Sequence, residues 1–446
     1  METKKTRGYS SCQCLFVCIC LLTSLTLLLA ACSGSPTPVK TITPTTGTTP
    51  TTGVTPTTVP MPPTQTSCPP AGTARAAVMS RLVLGNQDTV VYTDNQGSSG
   101  NPITGIVKRY TVSTGSTTEI VALPHTTIQE AQVSADGQWV LFLARTSNQT
   151  AIQLVRLDGQ GLQTLYCAGA RGGIYHLQWS PDQQYLAFDE MQGFSFPTVY
   201  LLHVATGANK PEVVPQKDLA YCLSVWLDTT HLYMVACAPG QGPFGLINQY
   251  LYLLDITNAS VQQFPITSAL CRDFDPSVDG TRLFTSTCQF VFGQGPPSYK
   301  GPSSILVQPA TGGPAQTIYS SPSYAIRALR VASRSTFLIV INNTGGGSID
   351  TSRNGMWKMN TDGTGLTRLT STVADENTLF NASTQSPWSN VSRDGEIYAV
   401  KVIKNISQSS STSSLLVGPM NGGASVTVAT LTDTAGSVEI VGWTMV

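Results

Sequence analysis

The chain has 446 residues, of which 25 are Lys or Arg, 25 are Asp or Glu, and only 11% are charged in all. Soluble domains average about 25% charged residues. A net charge of zero without a basic stripe excludes binding to nucleic acid through phosphate neutralisation, and Ser, Thr, Gly, Asn and Gln are left to carry solvation.

The first element in chain order is a leader. Lys4, Lys5 and Arg7 precede an apolar run from Leu15 to Leu29, which closes on Leu29-Ala30-Ala31-Cys32. Small residues before a cysteine read as a lipobox at the end of a signal peptide spanning 1–31. The stretch resembles the leaders of bacterial lipoproteins. That resemblance implies lipid on Cys32 and an extracytoplasmic protein anchored to the bacterial cell membrane. Two or three acyl chains anchor stably, each buried CH₂ contributing roughly 0.8 kcal/mol. The alternative is a retained N-terminal membrane helix, for which the run is short against a span of about 20 residues.

Residues 32–67 are Thr, Pro, Gly and Ser with almost no large apolar side chain. Such a segment cannot bury enough surface to offset its ordering entropy. Its prolines favour extended stretches, so it reads as a disordered spacer between membrane and domain.

From Cys68 to Val446 the pattern changes to short apolar strands separated by Gly, Asp, Pro and Ser turns. One phrase recurs: an alternating strand, a turn, then a strongly apolar strand. It starts at Ala131, Leu177, Ser224, Asp273, Leu329 and Ser389. A third strand ending in a Gly turn and a fourth strand follow most copies. Four strands repeated at about 50 residues make a propeller blade. The N-terminal copy lacks a clear first strand, and the best match to one is Ser437–Val446 at the far end of the chain. Seven blades closed by the C-terminal strand follow. If the segment from Arg81 supplied that strand instead, six or eight blades would need considering. Closure removes two long unpaired edges.

The phrases at Val133–Phe142, Trp179–Phe188 and Trp357–Thr370 resemble the repeats of the TolB-like propeller proteins, which are WD-repeat-like. The likeness fades at Asp228-Thr229-Thr230 and Ala332-Ser333-Arg334, where the usual turn is replaced. It implies an all-β propeller, often with a role in recognising partners in the cell envelope, and no single activity.

Asp136-Gly137, Asp279-Gly280 and Asp394-Gly395 have the chemistry of tight hairpins and lack the D-x-D-x-D spacing of a calcium loop. Trp139, Trp179, Trp226, Trp388 and Trp443 fall at or near the first hairpin of a blade, where packing between blades is expected.

Of eleven cysteines, Cys12, Cys14, Cys18 and Cys20 fall in the leader and Cys32 ends it. Cys222 and Cys237 centre on one predicted hairpin turn, and Cys271 and Cys288 on another. Each pair is expected directly opposite across two antiparallel strands, within disulfide range. Cys68 and Cys167 pair by elimination. Without a C-x-x-C after Cys32, and with His125, His176, His203 and His231 scattered, no metal or other cofactor is expected.

The sequence has no G-x-S-x-G elbow, H-E-x-x-H or Walker loop. His176, Ser180 and Asp182 form a tempting trio whose strand-and-turn positions argue for coincidence. Function is expected on a face. The loops between second and third strands are long and Gly-rich, and in a propeller they emerge on one side. Phe194, Phe196, Phe244, Phe292 and Tyr299 are candidate anchors there for a protein, peptide or glycan. Glu130, Arg272, Arg327 and Arg330, on innermost strands, are weaker candidates. A monomeric binding or scaffold module is the expectation, and a hydrolase or lyase acting in the channel is the alternative.

Overall fold

Seven four-stranded antiparallel sheets make up the chain from Asp88 onward. The computed structural model describes residues 67–70, 81–97, 103–169, 172–193, 196–214, 219–237, 250–267, 271–291, 298–344, 350–370, 378–381, 389–407, 410–432 and 436–446. Blade 1 has the order Gly436–Met445, Asp88–Gln96, Thr104–Thr111, Ser116–Pro124. The last strand of the chain is therefore the innermost strand of the first blade. Blades 2 to 7 follow in sequence order, their innermost strands being Thr127–Val133, Gly172–Trp179, Ala220–Trp226, Cys271–Pro276, Ile326–Val331 and Thr378–Asn381. The result is a seven-bladed β-propeller.

Closure is continuous. Asp88 lies opposite Met445 and Gln96 opposite Gly436, and the backbones of Gln87 and Val446 exchange hydrogen bonds of 3.1 and 3.0 Å beyond the strand ends. Gly436 has φ 135°, and a Cβ there would stand 1.6 Å from the Asn95 carbonyl oxygen, so the entry to the closing strand requires glycine. The segment from Arg81 is no strand. It runs past blade 2, where the Leu82 N–H donates to Gln138 Oε1 at 2.7 Å.

Alternation along each strand feeds two different interiors. Val91 packs with Phe142 between blades 1 and 2, whereas Val90 and Tyr92 pack with Leu415 and Val417 between blades 7 and 1. The same division recurs around the ring. Second strands are therefore buried on both faces, which is why "VLFLA" at Val140–Ala144 is apolar throughout. Trp179, Trp226 and Trp443 sit in these interblade layers and Trp139 packs against one. Trp388 lies outside the described residues.

The recurring turn is held by a serine two residues before its aspartate. Ser134 Oγ donates to Asp136 Oδ1 at 2.6 Å and accepts the N–H groups of Gln138 and Trp139 at 3.0 Å. Ser180, Ser277 and Ser392 repeat the contact with Asp182, Asp279 and Asp394. Gly137, Gly280 and Gly395 hold φ between 67° and 80°. In blade 4, Asp228 Oδ1 accepts the N–H groups of Thr230 and His231 directly. The turn is thus rebuilt where the repeat fades.

Three disulfides join Cys68–Cys167, Cys222–Cys237 and Cys271–Cys288, with Cα separations of 5.8, 5.7 and 5.0 Å. Cys271 and Cys288 are directly opposed. Cys222 and Cys237 are not: Cys222 faces Val235, and Cys237 faces Ala220. The hairpin turns between Leu227 and His231, and a bulge between Leu223 and Trp226 shifts the register further, so this bridge is diagonal. In the chain-entropy account, closing a loop of 15 residues contributes about 3 kcal/mol.

Side chains tie successive blades at their innermost strands. Asn95 exchanges bonds of 2.8 and 2.9 Å with the backbone of Ile128. Gln132 accepts from the Trp179 N–H and donates to the Leu177 carbonyl. Asn342 does the same at Phe380. Arg393, on the first hairpin turn of blade 7, crosses the closure: its guanidinium donates to the carbonyls of Trp443 in blade 1 and of Ser134 and Ala135 in blade 2.

Replacing Arg393 with alanine removes three hydrogen bonds at the seam, although the Ser134 carbonyl keeps the Gly137 N–H. Arg393→Ala is expected to lower unfolding free energy by about 3 kcal/mol, measured by urea denaturation. Lysine cannot reproduce the planar fork, so Arg393→Lys should recover little of the loss.

Candidate functional site

Innermost strands are bulged at corresponding places. The register slips at Glu130–Ala131 in blade 2, at Tyr175 in blade 3, at Ser224–Val225 in blade 4, at Arg327 in blade 6 and at Val441 in blade 1. A bulge re-aims one side chain out of the alternating pattern. At Glu130 it also forces a left-handed backbone, φ 42°, uncommon for a residue other than glycine.

Glu130 belongs to a cluster drawn from three blades. It interacts electrostatically with His176 and Asp189 of blade 3 and with Glu439 of blade 1. His176 Nδ1 lies 2.7 Å from Asp189 Oδ2, and the His176 N–H donates to Asp189 Oδ1 at 2.9 Å. Asp189 is fully buried and also accepts the Leu223 N–H of blade 4. Glu439 pairs with Lys401 of blade 7. Burial pushes the Glu130 carboxyl up to about 7; His176 opposes the shift, while Asp189 and Glu439 add to it. Burial works against the His176 imidazolium, but the hydrogen bond and charge of Asp189, with the charge of Glu130, outweigh it and raise its pKa.

Across the ring the acids are accompanied by arginines. Arg330 donates to Asp273 at 2.5 Å. The Arg327 guanidinium lies 3.3 Å over the Tyr299 ring. Asp275 accepts the Val331 N–H, and burial pushes its carboxyl up to about 7 against the pull of Arg330.

The aromatic residues expected as anchors are distributed differently. Phe194, Phe244 and Phe292 lie outside the described residues, as does Cys32. Phe196 is half-buried just before the strand Thr198–His203. Tyr299 is half-buried against Phe290, ring centroids 4.8 Å apart, and exchanges backbone hydrogen bonds with Thr344 of blade 6. Much of its ring is thus engaged within the protein. The hairpin carrying it is long, Arg282–Val291 paired with Ser298–Pro309, as is Ile397–Ser407 with Ser410–Pro419 in blade 7.

Arg272 lies on the innermost strand of blade 5, and its side chain is outside the described set. Ser180 and Asp182 are engaged in their turn, with the Tyr185 N–H donating to Ser180 Oγ, so His176 pairs with Asp189 and the trio does not assemble. His176, Asp189 and Cys222 bring their donor atoms within 4.8 Å of one another. The Cys222 sulfur is consumed by its disulfide, which leaves too few ligands for a closed metal site.

Repeat phrases on the inner hairpins, four strands per blade and the closing C-terminal strand agree. The fold is a seven-bladed β-propeller. No family model and no curated protein matches this sequence. Among solved structures, TolB from Acinetobacter baumannii is 14% identical over 76% of this chain and 81% of its own, with a TM-score of 0.41. The periplasmic gluconolactonase PpgL of Pseudomonas aeruginosa is 12% identical over 79% and 99%, with a TM-score of 0.49. An oligogalacturonate lyase from Vibrio parahaemolyticus is 10% identical over 78% and 97%, with a TM-score of 0.45. What these proteins and the propeller described here have in common is fold alone.

The raised groups predict a pH dependence. Glu130 and Asp275 hold protons more tightly folded than unfolded, so they cost nothing below their unfolded pKa values and their full penalty above about 7. The stability contributed by protonated His176 is complete below 6.5 and lost as pH rises through its higher folded value. These three make stability fall from mildly acidic to neutral pH. Urea midpoints at about pH 5 and about pH 8 should show Glu130→Gln matching the wild type at the lower pH and exceeding it at the higher. Equal slopes would show that Glu130 does not titrate in this range.

Proposed function

We propose that this protein is a non-enzymatic binding or scaffold module, tethered outside the cytoplasm by lipid on Cys32, which recognises a protein, peptide or glycan segment at the channel end that receives the long hairpins. The observation that carries the reading is Glu130. A half-buried carboxyl on a strained backbone is placed among His176, Asp189 and Glu439 where the ring needs only a strand. Strain and unneutralised acid of this kind are retained at functional sites. The opposite arc carries Arg327 and Arg330, so a segment with hydrogen-bond donors at one end and acceptors at the other finds acid on one side and cation on the other. Three disulfides support an oxidising compartment, and the leader and Thr/Pro spacer support a tether.

Photo-crosslinking tests the face. A benzophenone amino acid at Tyr299 should capture an envelope partner. The same group at Val278, on a first-hairpin turn at the opposite face, should not. Glu130→Gln should weaken capture from Tyr299, and equal yields from both faces would remove this end of the ring as the binding surface. Mass spectrometry of the N-terminal peptide reads the tether directly, since an unmodified Cys32 thiol contradicts it.

A second reading rests on the same residues. A carboxyl poised at about 7 beside a His–Asp pair has the proton affinity of a general acid or base, as a hydrolase or lyase would require. Purified protein assayed on glycan and lactone substrates distinguishes the two: turnover abolished by Glu130→Gln selects the enzyme, and none selects the binding module.

A further inference from the structure

Between blades 2 and 3, apart from the channel cluster, lies a cavity of about 250 Å³. Its floor is Glu190, next to Asp189 in sequence and on the opposite face of the same strand. Its walls include Tyr166, Leu165, Leu202 and Asn209, and Pro69 and Pro70 cover one side. The Cys68–Cys167 disulfide pins those prolines there.

Glu190 is 2% exposed. Its carboxylate accepts the Tyr166 hydroxyl at 2.6 Å and the Gly169 N–H at 2.9 Å. Both donors are neutral, and among the described residues no Lys, Arg or His forms an ion pair with it. A buried carboxylate lacking a cation is costly. Nearby, Asn209 Oδ1 is buried without a hydrogen-bond partner. Glycine at 172 preserves the opening, because a Cβ there would stand 2.9 Å from Glu190 Oε1. Among the described residues the cavity therefore presents a carboxylate met only by neutral donors, an unused acceptor and an aromatic ring above an apolar wall.

We propose that this cavity binds a small aliphatic ammonium group, either a free amine or the side chain of a lysine. The ammonium donates to Glu190 and Asn209, neutralises the carboxylate and lies against the Tyr166 ring, while the alkyl chain contacts Leu165, Leu202 and the prolines. A dry cavity of about 150 Å³ holds benzene, so this volume suits a chain of four or five carbons.

The test is calorimetry and thermal denaturation of the intact protein with n-butylamine, 1-butanol and butyrate. A ligand that binds only the folded state raises the midpoint. Butylamine should bind and raise it, and the alcohol and the acid should not. N-acetyl-lysine-N-methylamide distinguishes the sources: stronger binding than butylamine selects a lysine side chain, and weaker binding selects a free amine. Glu190→Gln should weaken amine binding about tenfold or more. Should that variant fail to fold, Asn209→Leu, which removes the unused acceptor and fills space, provides the comparison. Binding of 1-butanol equal to butylamine, absence of binding by both amines, or unchanged amine binding in the folded variants would each overturn the proposal.

Discussion

Every innermost strand of a propeller has one edge with no neighbouring strand. Its outward N–H and C=O groups pair with the second strand of its own blade, and those on the other side need partners that no sheet supplies. Here, at five of the seven boundaries, side chains from the preceding blade meet that need: Asn95 at Ile128, Gln132 at Leu177 and Trp179, Asp189 at Leu223, Asp273 and Asp275 at Leu329 and Val331, and Asn342 at Phe380. One contact satisfies an edge and locks a blade boundary together. The ring is accordingly a chain of polar clasps laid over apolar interblade layers, and the layers alone would not fix the angular position of each blade.

The clasps determine where charge can appear. Amides satisfy an edge without cost in ionisation, since they donate and accept within one group. Aspartates accept only, and bring charge into a poorly solvated interior. Boundaries 1–2, 2–3 and 6–7 use Asn or Gln. Boundaries 3–4 and 5–6 use Asp, and there a counter-group accompanies the acid: His176 beside Asp189, Arg330 beside Asp273. Glu130 has no role in an edge. Its position in a bulge with left-handed φ sets it apart from the clasping acids and makes it the residue in the channel that the architecture does not account for.

The repeat period, the four strands per blade and the distant closing strand were legible in the residues because each follows from local alternation and turn chemistry. Two of the cysteine pairs were legible for the same reason, as hairpins place equidistant residues near each other, and Cys68–Cys167 followed by elimination. The diagonal offset of Cys222 and Cys237 was not, since it depends on a bulge that alternation does not announce. "SVWLD" reads as continuous alternation although the register breaks within it. The Glu130 cluster was only half legible. A charged residue on an innermost strand was visible, but its meeting with His176 and Glu439 requires three blades, with Glu130 and Glu439 separated by 309 in sequence number. Tyr299 shows the converse: an aromatic in a Gly-rich loop looks free in sequence, and proves to be held by Phe290 and Arg327.

Stability and the proposed recognition pull in opposite directions at the channel. The lowered aspartates of the turns, such as Asp228 and Asp394, are stabilising once ionised, because N–H and O–H donors surround them. Glu130 and Asp275 have the reverse sign, and both lie on or beside innermost strands where water is scarce. An amide at position 130 would remove the penalty and keep the shape. The propeller instead retains a carboxyl whose proton affinity burial has raised, so a cation or donor brought alongside would favour its charged form. Such a group does nothing to hold the ring together, which is why the proposed binding role rests on it.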